Sequence, residues 1–149
     1  MKKLVILYLL FCSINIFSQG EANYWFFGQN AGINFNNGAA TPISVNLNTI
    51  EGCASFSDIG GNLLFYTDGI TVWDKNHNIM TNGQNLLGDP SSTQSAIIVP
   101  HPGNPDLFYI FTVGANDYDI DGNLIKATEG LNAYTVDMAA RSGLGDVTG

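Results

Sequence analysis

Basic side chains are scarce in this chain of 149 residues, which holds five Lys and Arg in all. Two of these, Lys2 and Lys3, precede an apolar run at residues 4–11. Beyond residue 18 only Lys75, Lys126 and Arg141 stand against 13 acidic residues, leaving a net charge of about −10. A field of that sign repels phosphate backbones and anionic lipid surfaces, so nucleic-acid binding is excluded as a main function, whereas cations are favoured. Cysteine is almost absent too. With residues 1–18 removed only Cys53 remains, and no intramolecular disulfide can form within this stretch. Cys53 reads as a small apolar residue at the start of a strand; a catalytic thiol would want a nearby His, and His77 is the nearest in sequence. A long apolar run is also missing: residues 4–11 fall short of the roughly 20 needed to span a bilayer. No Gly-x-Ser-x-Gly elbow occurs.

What is present begins with a leader. A basic start, the short apolar run and small Ser18 ahead of Gln19 have the order of a secretory signal peptide over residues 1–18. Secretion or display at the cell surface follows as the expected location, with no membrane-spanning segment after processing. The remaining chain is rich in Gly, Asn and aromatic residues. That composition suits many short strands joined by tight turns.

The stretch from Ser55 to Asp74 shows this most clearly. Three short apolar runs, at residues 54–57, 63–67 and 70–73, are separated by Asp58-Ile59-Gly60-Gly61-Asn62 and by Asp68-Gly69. The second separator is a two-residue hairpin signal. Strict alternation would put Leu63, Phe65 and Thr67 on one face and Leu64 and Tyr66 on the other, so the middle strand is apolar on both sides and needs cover on both. Residues 79–81 form a candidate fourth strand. Upstream, residues 23–35 read as a hairpin and residues 41–47 as a further strand; residues 86–93 are a linker. The pattern then restarts with residues 95–99, 107–113 and 132–137. Leu63-Leu64-Phe65-Tyr66 matches Asp106-Leu107-Phe108-Tyr109, and Thr71-Val72-Trp73-Asp74 matches Tyr134-Thr135-Val136-Asp137, a period of about 40 residues. Several strands per repeat at that period predict an all-β fold. The expected architecture is an incomplete β-propeller of about two to three antiparallel four-stranded blades over residues 19–149, because a closed ring takes more blades than this chain holds. The end at residues 144–149, with neither a capping element nor a polar tail, reads as a truncation.

Several phrases occur together: Glu51-Gly52-Cys53-Ala54, Gly61-Asn62-Leu63-Leu64-Phe65-Tyr66-Thr67-Asp68-Gly69, Val72-Trp73-Asp74-Lys75-Asn76-His77, Ser91-Ser92-Thr93-Gln94-Ser95 and Gly143-Leu144-Gly145-Asp146-Val147. On these phrases the chain resembles the N-terminal region of the large secreted proteins of gliding Bacteroidota. The resemblance covers nearly all of residues 21–149 and is most specific over residues 61–77. It implies a propeller-like region followed by further extracellular modules and a C-terminal sorting domain read by type IX secretion. No sorting domain lies within these residues, and the resemblance carries no catalytic residues.

The sharpest local motif is Asp117-Tyr118-Asp119-Ile120-Asp121-Gly122-Asn123. Carboxylates at alternate positions followed by Gly can curl around a hard cation. Asp117, Asp119 and Asp121 would supply side-chain oxygens and Asn123 a carbonyl, making a calcium-stabilised hairpin loop. Thr128 replaces the usual Glu at the last position and Glu129 falls one residue late. Asp74-x-Asn76-x-Asn78 imitates half of that spacing and reads as a turn. Besides Cys53, Ser91, Ser92 and Ser95, with His101 and Asp89, are the material for a nucleophilic site. Glu51 and Asp68 are candidates for a carboxylate pair in sugar chemistry. The aromatic residues Tyr24, Trp25, Phe26, Phe27, Phe65, Tyr66, Trp73, Phe108, Tyr109 and Tyr134 read mainly as packing between blades. The expected function is a non-catalytic surface module for adhesion, binding an extracellular protein or glycan alongside further domains of the same chain. The alternative is a secreted hydrolase or lyase with acidic residues in a propeller channel.

Overall fold

The computed structural model describes residues 20–126 and 130–149; the leader and the position of Thr128 and Glu129 lie outside them. A short 3-10 turn, Gly20–Ala22, leads into β1 (Tyr24–Phe26), β2 (Ala31–Asn34) and β3 (Thr41–Ser44). Next come β4 (Ala54–Ser57), β5 (Leu63–Thr67) and β6 (Val72–Asp74), followed by β7 (Ala96–Pro100) and β8 (Leu107–Val113). A two-stranded ribbon of β9 (Asp117–Tyr118) and β10 (Leu124–Lys126) precedes β11 (Leu131–Asp137) and β12 (Asp146–Thr148). The fold is all-β. Among the described residues there are three antiparallel sheets of three or four strands, in the orders β1-β2-β3, β4-β5-β6 and β12-β11-β8-β7. β4 lies against both β1 and β7, so the first strands of successive sheets run side by side.

The middle sheet carries the fold because both of its faces are covered. Leu63, Tyr66 and Trp73 pack with Phe26, Val45 and Leu47 on the side of the first sheet. Phe65 and Val72 pack with Phe108, Ile110, Val136 and Val147 on the side of the third. Tyr66 has no exposed surface; its ring meets Phe26 edge-on at 4.6 Å and stacks on Trp73 at 5.3 Å. Phe65, equally buried, meets Phe108 edge-on at 5.4 Å. Such aromatic pairs add to the transfer free energy of the large apolar areas they bury.

Three details of the meander depart from the expectation. First, the β4–β5 register shifts between Phe56 and Ser57, which pair with Phe65 and Leu63. Leu64 is the extra residue of a bulge, so strict alternation fails: Leu63 joins the cluster of Tyr66, and Leu64 packs against that of Phe65. Second, the connection at Asp68-Gly69 is a four-residue loop rather than a two-residue hairpin, because Thr67 pairs with Val72. Asp68 Oδ1 accepts the N–H groups of Ile70 (2.9 Å) and Thr71 (2.7 Å), and Thr67 Oγ1 accepts that of Gly69 (2.9 Å). These side-chain oxygens draw residues 68–71 into the loop, and β6 therefore starts at Val72 rather than at residue 70. Third, residues 79–81 make no regular fourth strand. Only the bridges Trp73–Ile79 and Thr81–Asp146 form. Asp74 Oδ1 accepts the N–H groups of Asn76 and Asn78, and Asn82 takes a positive φ of 57°, so the segment turns instead of extending. It crosses between sheets: Met80 N–H donates to the Val72 carbonyl (2.9 Å) and Val147 N–H to that of Thr81 (3.0 Å).

The far face of the third sheet stays apolar. Ile97 pairs with Phe111, Val99 with Tyr109 and Val113 with Leu131, with Ile97, Val99, Val113 and Leu131 all exposed. Trp25 and Phe27, in and beside the first sheet, are exposed as well.

Truncating Phe65 to Ala should lower unfolding free energy by about 3–5 kcal/mol, since it empties the contact between the second and third sheets. Ile59→Ala, at a side chain 80% exposed, should change it by less than about 0.5 kcal/mol. Urea unfolding of both variants checks the contrast; equal losses would mean that the core does not run through Phe65.

Candidate functional site

The motif read as a calcium loop lies at the tip of the β9–β10 ribbon, where it repeats a turn used earlier. In Asp58-Ile59-Gly60-Gly61-Asn62 the N–H of Asn62 donates to Asp58 Oδ1 (2.9 Å), and its side-chain amide reaches Oδ1 and Oδ2 (3.2 and 2.9 Å). In Asp119-Ile120-Asp121-Gly122-Asn123 the corresponding contacts from Asn123 to Asp119 are 2.8, 3.2 and 2.9 Å. Asp121 N–H adds a further bond to Asp119 Oδ1 (3.0 Å). Gly61 and Gly122 sit at φ 82° and 83°, which requires Gly at the fourth position of both turns. Gly60 and Asp121, at the third position, do not share that conformation, and either residue type fits there. Asp119 thus has both oxygens engaged within the turn. Asp117 belongs to β9, and its side chain lies outside the described residues. No group of three or more His, Cys, Asp or Glu side chains is arranged to hold a metal among the described residues.

The material for nucleophilic chemistry is not assembled. Ser91 Oγ donates to Asp89 Oδ1 (2.6 Å) and Ser92 Oγ to the Val113 carbonyl (3.1 Å). Ser95 and His101 flank the two ends of β7, and the five extended residues between them hold them about 20 Å apart. His101 instead folds over its own turn, with Nδ1 accepting the Gly103 N–H (3.0 Å) and its ring near Tyr109. Glu51 accepts from Thr93 Oγ1 (3.1 Å), and Asp68 caps its loop. Cys53 donates its S–H to the Phe26 carbonyl (3.0 Å). Burial, and then the negative charge of Asp68, push its thiol above the ordinary value, which disfavours the nucleophilic thiolate. His77 contacts Tyr66, its Nδ1 lying 3.2 Å from the phenolic oxygen.

A cavity of about 450 Å³ runs along β1 and β4. Tyr24, Trp25, Phe26, Phe27 and Phe56 supply aromatic surface, and Glu21 a carboxylate. Its remaining polar side chains face the backbone: Ser55 Oγ donates to the Tyr24 carbonyl (2.7 Å), and Cys53 is engaged as above. The place has the chemistry of a binding surface, apolar with one charged group. Sequence reasoning had placed Trp25 and Phe27 in packing between blades. Both are substantially exposed, at 52% and 44%, whereas Phe26, Phe65, Tyr66, Trp73 and Phe108 are core. Glu21 carried no sequence signal, since a lone Glu after the leader acquires meaning only where the chain folds back onto β4.

Comparison with protein-family models, with curated proteins and with solved structures finds no match for this chain. Among the described residues no helix is long and apolar enough to cross a membrane.

The two matching turns respond to acid in a defined direction. Burial pushes the Asp58 carboxyl up, but the Asn62 amide and the N–H groups of Asn62, Gly60 and Gly61 outweigh it and hold it below the usual carboxylate value. Asp119 is held down first by the Asn123 amide and then by the Asn123 N–H. Both folded values lie below the unfolded ones, so the turn stabilisation is complete above the ordinary carboxylate range and is lost as pH falls through the depressed values. Followed by NMR, the side-chain amides of Asn62 and Asn123 should keep their bound shifts down to a midpoint below about pH 3.9; a midpoint at or above that would show that the clamps are not formed.

Proposed function

We propose that the chain is a non-catalytic extracellular module, an open run of β-propeller blades from a large secreted surface protein of the kind exported by type IX secretion in gliding Bacteroidota. The observation that carries this reading is the succession of sheets. Each is laid on the next with its first strand beside the neighbour's first strand, and the middle sheet is covered on both faces. Radial stacking of blades has that arrangement. The apolar far face of the third sheet calls for the same cover, which a following blade would supply.

Adhesion follows from the aromatic cavity along β1 and β4. In a ring these first strands line the channel side, and a partly exposed Trp with neighbouring aromatic rings suits stacking on a sugar or on a protein side chain. The reading places no reaction here, in keeping with a high thiol pKa at Cys53 and the separation of Ser95 from His101. Calcium belongs to it as an ordering ion for the β9–β10 ribbon, with Asp117, Asp119, Asp121 and the Asn123 carbonyl as its ligands and Asp119 exchanging its bonds to Asn123 for the ion.

The native protein recovered from outside the producing cell, identified by peptides from residues 61–77, should have a mass several times that of this chain. In a glycan-array assay, Trp25→Ala should weaken whatever binding the native protein shows by about tenfold, the loss of one stacking contact. A native mass near that of the processed chain, or binding indifferent to Trp25, would overturn the reading. Calorimetric titration of the chelated protein addresses calcium separately: heat at millimolar calcium that is lost when Asp117 and Asp121 become Ala is expected, and no heat removes the ion from the reading.

A further inference from the structure

Another cavity, of about 290 Å³, opens between the second and third sheets and shares Glu21 and Phe56 with the aromatic one. Phe56, Leu64 and Phe108 form its apolar wall; Glu21, Ser57 and Asp58 are its polar residues. Ser57 has no exposed surface, yet among the described residues its Oγ has no hydrogen-bond partner, and Glu21 Oε2 is likewise buried without one. Unsatisfied buried oxygens of this kind are costly and call for a donor. Both residues line the same cavity, and both oxygens can accept once the side chains turn toward it, since neither has accessible surface in the unliganded chain.

The chain does not provide the missing donor from its own basic residues in the described structure. Arg141 faces Asp146 at 3.5 Å, and Lys75 extends toward Gly143, near the start of β12. The side chain of Lys126 lies outside the described residues. Asp58 adds negative charge to the wall, although its oxygens are engaged by Asn62. A hard divalent ion does not suit the place, because calcium takes six or more oxygens and this wall offers two free acceptors among rings and aliphatic carbons. An ammonium or guanidinium group on a short apolar stem matches both halves, charge against oxygen and stem against Phe56, Leu64 and Phe108.

We propose that this cavity is a binding site for an organic cation on an apolar stem, its N–H groups donating to Glu21 Oε2 and Ser57 Oγ. The site is built by the second and third sheets with the 3-10 turn at Glu21, and it does not depend on closure of a ring. Cations of this class come either as free amines or as lysine side chains of a bound peptide.

The test is an NMR titration of the intact protein with n-butylammonium, with Nα-acetyl-lysine amide and with the neutral 1-pentanol. Saturable shifts at Ser57, Leu64 and Phe108 with n-butylammonium in the millimolar range are expected, with 1-pentanol at least tenfold weaker. Glu21→Gln should weaken the cation by about tenfold and leave 1-pentanol unchanged; Ser57→Ala, a smaller truncation, guards against a folding defect in the first variant. Saturation by both cations assigns the site to a peptide side chain, and saturation by n-butylammonium alone to a free amine. Equal binding of cation and alcohol, an unchanged Glu21→Gln, or no saturable shift from any probe, as for a cavity holding water only, would overturn the proposal.

Discussion

A strand that is apolar on both faces cannot rest at a surface. β5 is such a strand, and the rest of this molecule follows from supplying it with two covers. Phe65 demands one neighbour and Tyr66 the other, so a sheet must lie on each side, and neither sheet can be removed without exposing a buried aromatic ring. The hydrophobic effect sets this requirement without setting which sheet answers it. Sequence order decides that: the hairpin before β4 covers one face and the strands after the linker cover the other. The same demand passes outward, because the third sheet is itself apolar on both sides.

Much of this was legible in the sequence. The alternation and the turn residues located the cores of β4, β5, β7, β8 and β11, and the doubly apolar runs announced the layered packing. What failed did so for local reasons. Alternation assumes an unbroken pleat, and the bulge at Leu64 moved Leu63 to the other face. The Asp68-Gly69 pair resembles a tight hairpin in composition, but hydrogen bonds that Thr67 and Asp68 side-chain oxygens accept from the N–H groups of Gly69, Ile70 and Thr71 stabilise a wider loop. The fourth strand at residues 79–81 lost to the turn imposed by Asp74. In the last two cases a side chain competed with the backbone for the same N–H groups, a contest that hydrophobic periodicity does not register.

The cavities were less legible than the fold, because they depend on which residues the covers leave exposed. Trp25 and Phe26 are neighbours in a short aromatic run, indistinguishable by type, yet one is half in solvent and the other in the core. Only the pleat of β1 against β4 separates their roles. Ser57 is equally silent in sequence. Its burial without a partner arises at the bulge, where two residues of β5 oppose one of β4 and the regular accounting of donors and acceptors is disturbed.

The acidic excess of the chain looks at first like a preparation for cations, and a good part of it has a different use. Asp58, Asp68, Asp74, Asp119 and Asp137 each accept backbone N–H groups one turn ahead, doing what Asn or Ser does in other loops. A chain of many short strands needs many such turns. Selecting Asp for them makes the surface negative as a by-product, and that explains why carboxylates at ligand-like spacing recur in DIGGN, DIDGN and Asp74-x-Asn76-x-Asn78. Spacing alone therefore carries little information about ligands in this molecule. Among the described carboxylates that cap no turn, the informative one is buried without a partner. Glu21 precedes no tight turn that uses its side chain, and it stands between two cavities with one oxygen buried and unmatched. An acidic side chain freed from turn duty and held against apolar walls is the one on which the proposed cation site rests.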